Sequence, residues 1–527
     1  MILISKSKCL LYYLLGLNFF LKVLIAIRPL KYIDNLTIQD DSYLALTIAR
    51  NIAKGLGPFY GTDYTNGFQP LYVFLMTPIY MLFPNDLITP VHLALILLTI
   101  FDTLTLYMLY KLVSSNSQSP ITPFIIMIAW IFNTYVILIT LNGLETAIAI
   151  FFIVSCYYYY QTNRTQLHGG NGVKPFVILG VLLGLAMLAR IDNAILAMVV
   201  GIAIFIGKIR EGKSKTAIVR NMLILFVSAL VVYSPWMIYS YHYTGSIFPV
   251  SGRAVRLIAL AEVNNNPTLT NWYFPQFLRA FMHTAARNPI YIVMLIGLIA
   301  ALPRYTGISF REIKTRLQQH NLYLSFCILL FGSYAFYIFG SWFFSRYLYP
   351  IMLLFILYLS EVIDCYIINL RILRFKRLFV PAIIVFLIVV ALARPSFRNY
   401  YFKKDTTHWG YMNLGLWARD NFPDGTIIGA PQTGALGYFA NNLTVINLDG
   451  VVNRKAYEAN RRKENIEYIR QCGIKYVIDW KAEWDFIKVE SRNLKPDDLI
   501  LVKKIEGFKT WGYEWYLYRV NDKDASN

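Results

Sequence analysis

Asp40 and Asp41 stand side by side shortly after the first long apolar stretch of the chain. Adjacent carboxylates take up protons or bind hard cations through oxygen. They open a segment, Asp41 to Lys54, that closes at Gly55 and Gly57. A helical period there aligns Leu44, Ala45, Ile48 and Ile52 as an apolar stripe, with Thr47, Arg50, Asn51 and Lys54 opposite. That pattern predicts a helix lying along a bilayer interface. Helix capping is the plain alternative for the pair, but a cap needs one carboxylate and not two.

The elements that must carry this pair are membrane elements. With 57% hydrophobic residues against 15% charged, the chain is too apolar for a soluble protein of 527 residues. Stretches long enough to approach the hydrocarbon thickness fall near 9–29, 88–112, 121–141, 144–161, 219–241, 321–340, 346–367 and 376–394. Shorter candidates lie at 69–84, 175–189, 193–208 and 287–303. The first stretch is long and has no small-residue cleavage site, so it reads as an anchor. The fold class expected is an α-helical multi-pass membrane protein of about 11 to 13 spans with a C-terminal extracytoplasmic α/β domain.

Charge orients the chain. The net charge is +20, yet the stretch from Asp405 to Asn527 holds 17 basic and 17 acidic residues, so the excess belongs to the membrane part. It gathers in short loops at Lys208 to Arg220, Arg304 to Arg316 and Arg371 to Arg377, which the positive-inside rule makes cytoplasmic. Such a distribution argues against nucleic acid as a partner, which needs a basic face on a folded domain. The loops 30–68 and 242–286, and everything after about residue 395, then share the opposite side. Parity holds if 69–84, interrupted by Pro78, is re-entrant or interfacial. Domain 1–394 is therefore the membrane part and 395–527 a soluble extracytoplasmic domain. In the latter, strands are expected at 425–430, 444–448 and 475–479, with edge strands at 498–505 and 514–520. Gly434-Ala435-Leu436-Gly437 lacks the third glycine of a dinucleotide fingerprint. The six histidines show no metal-ligand spacing.

The order of motifs resembles the C-type glycosyltransferase superfamily of membrane enzymes that use polyprenyl-phosphate sugars, in particular its arabinofuranosyltransferase-like and mannosyltransferase-like bacterial members. The residues carrying the resemblance are Asp40-Asp41-Ser42-Tyr43, Thr65 to Leu71, Asn142 to Thr146, Ala189 to Asp192, Gly245 to Gly252 and Arg346-Tyr347. In the tail, Gly434 to Phe439 and Asn447-Leu448-Asp449-Gly450 match as well. The resemblance implies an inverting transferase of the inner (cytoplasmic) membrane that moves a sugar from a polyprenyl-phosphate donor to a glycan or lipid acceptor on the outer face. A protein hydroxyl as acceptor is an open alternative. A lipid or oligosaccharide transporter is the rival class, but no internal duplication supports it.

By that resemblance Asp40 is the catalytic base, while Asp41 orients the acceptor or raises the pKa of Asp40 by like charge. Both carboxylates together are candidate ligands for a divalent cation such as Mg, Mn or Ca. Arg346, with Tyr347 beside it, suits the donor phosphate, with interfacial snorkelling as the other reading. Arg253 is an alternative phosphate contact, or else a solvated loop residue. Glu145, Asn66, Gln69, Arg190 and Asp192 are candidate sugar or acceptor contacts. Against these stand an Arg190–Asp192 ion pair, a helix-end role for Glu145 and an ordinary turn at Asn66-Gly67.

Overall fold

The computed structural model describes residues 2–34, 36–264, 273–287, 289–338, 343–369, 373–404, 410–479, 491–510 and 513–521. Ser341 and Trp342, in the aromatic run before Arg346, and the loop residue Arg371 lie outside the described residues. Among the described residues, six helices are long and apolar enough to cross a membrane: Ser7–Ala26, Thr89–Asn116, Ile191–Arg210, Lys215–Thr244, Asn321–Ile338 and Pro350–Asn369. The chain is a multi-pass membrane protein. Counting each bent helix pair as one span raises the number to nine, which is fewer than the 11 to 13 expected. The two expected spans that fall out are 144–161 and 175–189, whose helices Thr146–Thr162 and Lys174–Ala189 are only 17 and 16 residues long. The apolar stretch 121–141 breaks by 62° between Thr122–Ile131 and Thr134–Thr140, because Asn133 Oδ1 accepts from the backbone N–H groups of Tyr135 and Val136 and starts a new helix. Segment 69–84 forms only Pro70–Leu82, roughly 20 Å of helix, which is short of the hydrocarbon thickness.

Within the bundle, Asp102 of Thr89–Asn116 joins four helices. It is ion-paired to Lys22 and accepts from Asn18 Nδ2 at 2.8 Å, Trp130 Nε1 at 3.1 Å and Thr140 Oγ1 at 3.0 Å. Both members of the pair are 1% exposed, and a buried charge persists only when paired and hydrogen-bonded in this way.

Between bundle and tail lies a connector. The helix Asp40–Ala53 packs against Pro70–Leu82 on one side and against the tail helix Gly434–Phe439 on the other. Half of the polar face is thereby covered: Thr47 and Arg50 are buried, whereas Lys54 stays exposed. Arg50 is buried, donating to the carbonyl of Tyr438 at 3.0 Å with its guanidinium 5.0 Å from that ring centre. Two short strands, β1 (Phe59–Tyr60) and β2 (Asp63–Tyr64), form a hairpin after it.

The tail is an α/β unit. β3 (Ile427–Ala430) pairs in parallel with β4 (Thr444–Asn447) and β5 (Tyr476–Asp479). β7 (Tyr513–Val520) pairs antiparallel with β5 and with β6 (Leu499–Thr510), giving the order β4-β3-β5-β7-β6. The stretch 514–520, expected at an edge, is interior. Its Trp515, Leu517 and Tyr518 are buried, so it gains more by pairing on both sides, and only β6 is left at that edge.

Candidate functional site

Neighbouring residues on a helix point about 100° apart, and this divides the Asp pair. Asp40 and Asp41 occupy the first turn of their helix, and Gln39 precedes it without a side-chain cap. Asp40 turns to the tail. Its Oδ2 accepts from the backbone N–H of Gly434 at 2.9 Å and its Oδ1 from that of Ala435 at 2.8 Å. A Cβ at Gly434 would sit 1.9 Å from the Asp40 carbonyl oxygen, so glycine alone permits the approach. Burial pushes the Asp40 carboxyl up to about 7, with the two N–H donors pulling down and the Asp41 charge pushing up. The tail's glycine run therefore receives a carboxylate of this same chain. Asp40, the expected base, thus has both carboxylate oxygens engaged by N–H groups that tie its helix to the tail.

Asp41 turns to a cavity of about 80 Å³. There Arg346 donates to its Oδ2 through both Nη1 and Nη2 at 3.3 Å. The guanidinium lies against the rings of Phe343 at 4.7 Å and Tyr347 at 5.1 Å, and its Nε has no partner among the described residues. Burial works against the Arg346 charge, but Tyr347, Asp41 and Glu145 outweigh it and the pKa is raised. Arg346 thus keeps a full positive charge with donor capacity to spare.

Arg190, by contrast, is occupied. It donates to Glu145 Oε1 at 2.6 Å and to Asp192 Oδ2 at 2.6 Å, and Tyr334 donates to the same Asp192 oxygen at 2.6 Å. Its guanidinium stands 4.8 Å from the centre of the Tyr347 ring, which stacks on Tyr334. Arg190, Asp192 and Glu145 form one buried ion network that fixes Tyr347, and through it the wall on which Arg346 lies. Glu145 also borders the cavity.

The remaining expected residues separate. Gln69 lines the cavity. Asn66 does not, because its amide is used within the protein. Nδ2 donates to Thr244 Oγ1 at 2.9 Å and to the carbonyls of Ser246 and Phe248, while Oδ1 accepts from the N–H of Val250. Arg253 donates to Ser246 Oγ in solvent, and it is Ser251 and Val255 of that helix that reach the cavity. The two carboxylates face different partners, Asp40 the N–H groups of Gly434 and Ala435 and Asp41 the guanidinium of Arg346. Among the described residues no group of three His, Cys, Asp or Glu side chains is arranged to hold a metal ion.

Sequence reasoning missed the share of the tail in the cavity wall, made by Val451 and Val452. The signal was Gly67, where a Cβ would lie 2.1 Å from the Val451 carbonyl oxygen. It also missed Asp34, which accepts from Tyr43 Oη at 2.8 Å and the Met412 N–H at 2.9 Å and is a second tie to the tail.

Residues 398–518 match a family model described as a domain of unknown function, DUF8728. No curated protein sequence matches the chain. Among solved structures, the chain is similar to ArnT from Cupriavidus metallidurans bound to undecaprenyl phosphate, with 10% identity over 97% of this chain and 98% of that one and a TM-score of 0.55. It is also similar to the Archaeoglobus fulgidus oligosaccharyltransferase in its apo form, with 13% identity, 91% and 71% coverage and a TM-score of 0.50. The S. cerevisiae protein O-mannosyltransferase complex Pmt1-Pmt2 bound to its sugar donor aligns over 46% of this chain at 16% identity with a TM-score of 0.37, and the match spans 34% of that chain's length. The first two likenesses are ones of fold: the chain shares the overall fold of ArnT and of the archaeal oligosaccharyltransferase.

Proposed function

We propose that this protein is an inverting membrane glycosyltransferase that takes a sugar from a polyprenyl-phosphate donor and passes it to a glycan or lipid hydroxyl on the outer face of the cytoplasmic membrane. The observation that carries the reading is the pairing, in one cavity, of a partly exposed carboxylate at Asp41 with a buried cation at Arg346. Glycosyl transfer from a lipid phosphate needs both groups. In this mechanism Asp41, rather than Asp40, accepts the acceptor's proton as its oxygen attacks the anomeric carbon. The bond from that carbon to the phosphate oxygen breaks, and polyprenyl phosphate leaves with the bonding electrons. Arg346 stabilises the charge gathering on the phosphate. Phe343 and Tyr347 give it a low-dielectric backing that strengthens this attraction. The fold shared with ArnT, whose structure holds undecaprenyl phosphate, supports the choice of donor class.

The test is transfer from radiolabelled polyprenyl-phosphate sugars to envelope acceptors by purified protein. Asp41→Asn should lower transfer by 100-fold or more while the donor still binds. Parental rates in Asp41→Asn would remove the assigned base.

A further inference from the structure

Beside the cavity, between the β1–β2 hairpin, the end of the helix Lys215–Thr244 and the tail helices Arg454–Arg462 and Asn465–Gln471, runs a groove of about 690 Å³. That volume suits an extended small ligand. A ladder of aromatic rings connects it to the cavity. Phe68, in the cavity wall, meets Trp236 edge-on at 4.9 Å, and Trp236 stacks on Tyr239 at 5.2 Å. Tyr239 meets Tyr243 at 4.9 Å, and Tyr243 meets Tyr64 at 4.7 Å. Residues 236, 239 and 243 follow helical spacing, so the ladder climbs roughly 10 Å along one face. Exposure rises along it, from 3% at Trp236 to 49% at Tyr243 and 44% at Tyr64, and these last two rings lie in the groove.

The plain alternative is an aromatic belt at a membrane interface. The opposite wall argues against it, because the tail helices supply charged side chains and Gln471 there, which belong in water. The charges are balanced, with four acids against three bases in the lining. Lys455 is paired with Asp63 at 2.8 Å and Arg462 with Glu464 at 3.8 Å. Such a groove offers no positive excess for a phosphate or an anionic headgroup. Exposed ring faces flanked by charged and amide side chains suit the apolar C–H face and hydroxyl rim of a sugar.

We propose that this groove binds the acceptor as a neutral oligosaccharide, seated on the exposed rings of Tyr64 and Tyr243. The proposal rests on the glycosyl-transfer reading for the ligand's role as acceptor but not for the binding itself. The test presents purified full-length protein in detergent to arrayed neutral oligosaccharides of one to six units built from mannose, glucose or galactose, and to vesicles containing phosphatidylglycerol. Chains of two or more units should be retained. Tyr64→Ala and Tyr243→Ala should each weaken retention at least 10-fold, and Tyr243→Phe, which keeps the ring, should not. Asp41→Asn should bind as the parent does while losing transfer. The proposal is overturned if no neutral oligosaccharide is retained, if both alanine variants bind normally, or if only the anionic vesicles are held. A protein that transfers sugar without groove binding would sink the groove alone. One that binds through Tyr64 and Tyr243 without transferring would sink the enzyme reading and leave the groove.

Discussion

At the scale of single residues, the adjacent carboxylates Asp40 and Asp41 have separate physical tasks because helical geometry turns them apart. Asp40 is buried and doubly hydrogen-bonded, so Asp40→Asn should act first on stability. The amide keeps one acceptor and turns a donor toward a backbone N–H, at a cost on the order of 1–3 kcal/mol, read as a lower Tm. The pH dependence has a definite sign. Burial raises Asp34 to about 6, and Asp40 and Asp449 to about 7, all above the ordinary aspartate value. Each acid binds its proton more tightly when folded, so its contribution to stability is greatest at low pH and is lost as pH rises from ~4 to ~7. Thermal unfolding in detergent should therefore show a falling Tm across that window. Asp40→Asn should flatten part of the fall, and an unchanged slope would show that the other two acids carry it. Arg346→Ala should chiefly weaken donor binding, by 10-fold or more, as measured by titration with a polyprenyl-phosphate sugar. Arg346→Lys should restore only part of this, since an ammonium lacks the fork that spans two phosphate oxygens.

At the scale of elements, the helix Asp40–Ala53 is the joint of the molecule. One face packs on Pro70–Leu82 and another on the tail, where Gly434 lies so near the Asp40 carbonyl that a Cβ would not fit. Gly434→Ala would force the helix and the tail apart and should destabilise the protein by ~2 kcal/mol or more. Faster proteolysis of the tail, with the bundle intact, is the expected readout. The Lys22–Asp102 pair plays the corresponding part inside the bundle. Lys22→Met alone leaves a buried carboxylate without its cation and should cost ~3–5 kcal/mol, much of which the double change with Asp102→Leu should recover. Equal losses in the single and double variants would show that Asp102 serves its hydrogen bonds to Asn18, Trp130 and Thr140 rather than the charge pair.

At the scale of the whole molecule, the seam between bundle and tail passes through the cavity, so changes there should alter chemistry before they alter folding. Gly67→Ala, which pushes on the Val451 carbonyl, should slow transfer roughly 10-fold while moving Tm by only a few degrees, as an activity assay beside a melting curve would show. Much of this architecture is written locally. Long apolar runs dictate a helical membrane part because unsatisfied backbone is too costly in lipid. The change of composition after Pro395, with alternating strand and helix patterns, dictates the α/β tail, and the amphipathic period from Asp41 to Lys54 dictates the helix that bears the acids. Local pattern is also where such reading stops. Whether Asp40 or Asp41 meets the cavity depends on the rotation of one helix against a glycine nearly 400 residues away. Whether Arg190 or Arg346 has donors to spare depends on which carboxylates arrive from other helices, and whether 121–141 is one helix or two turns on a single asparagine bonding to the backbone. The amino-acid order alone determined that charged groups would gather at one end of an apolar bundle. The tertiary structure decided which of them are spent on one another and which remain for a substrate, because pairing is a property of distance between elements and not of position along the chain.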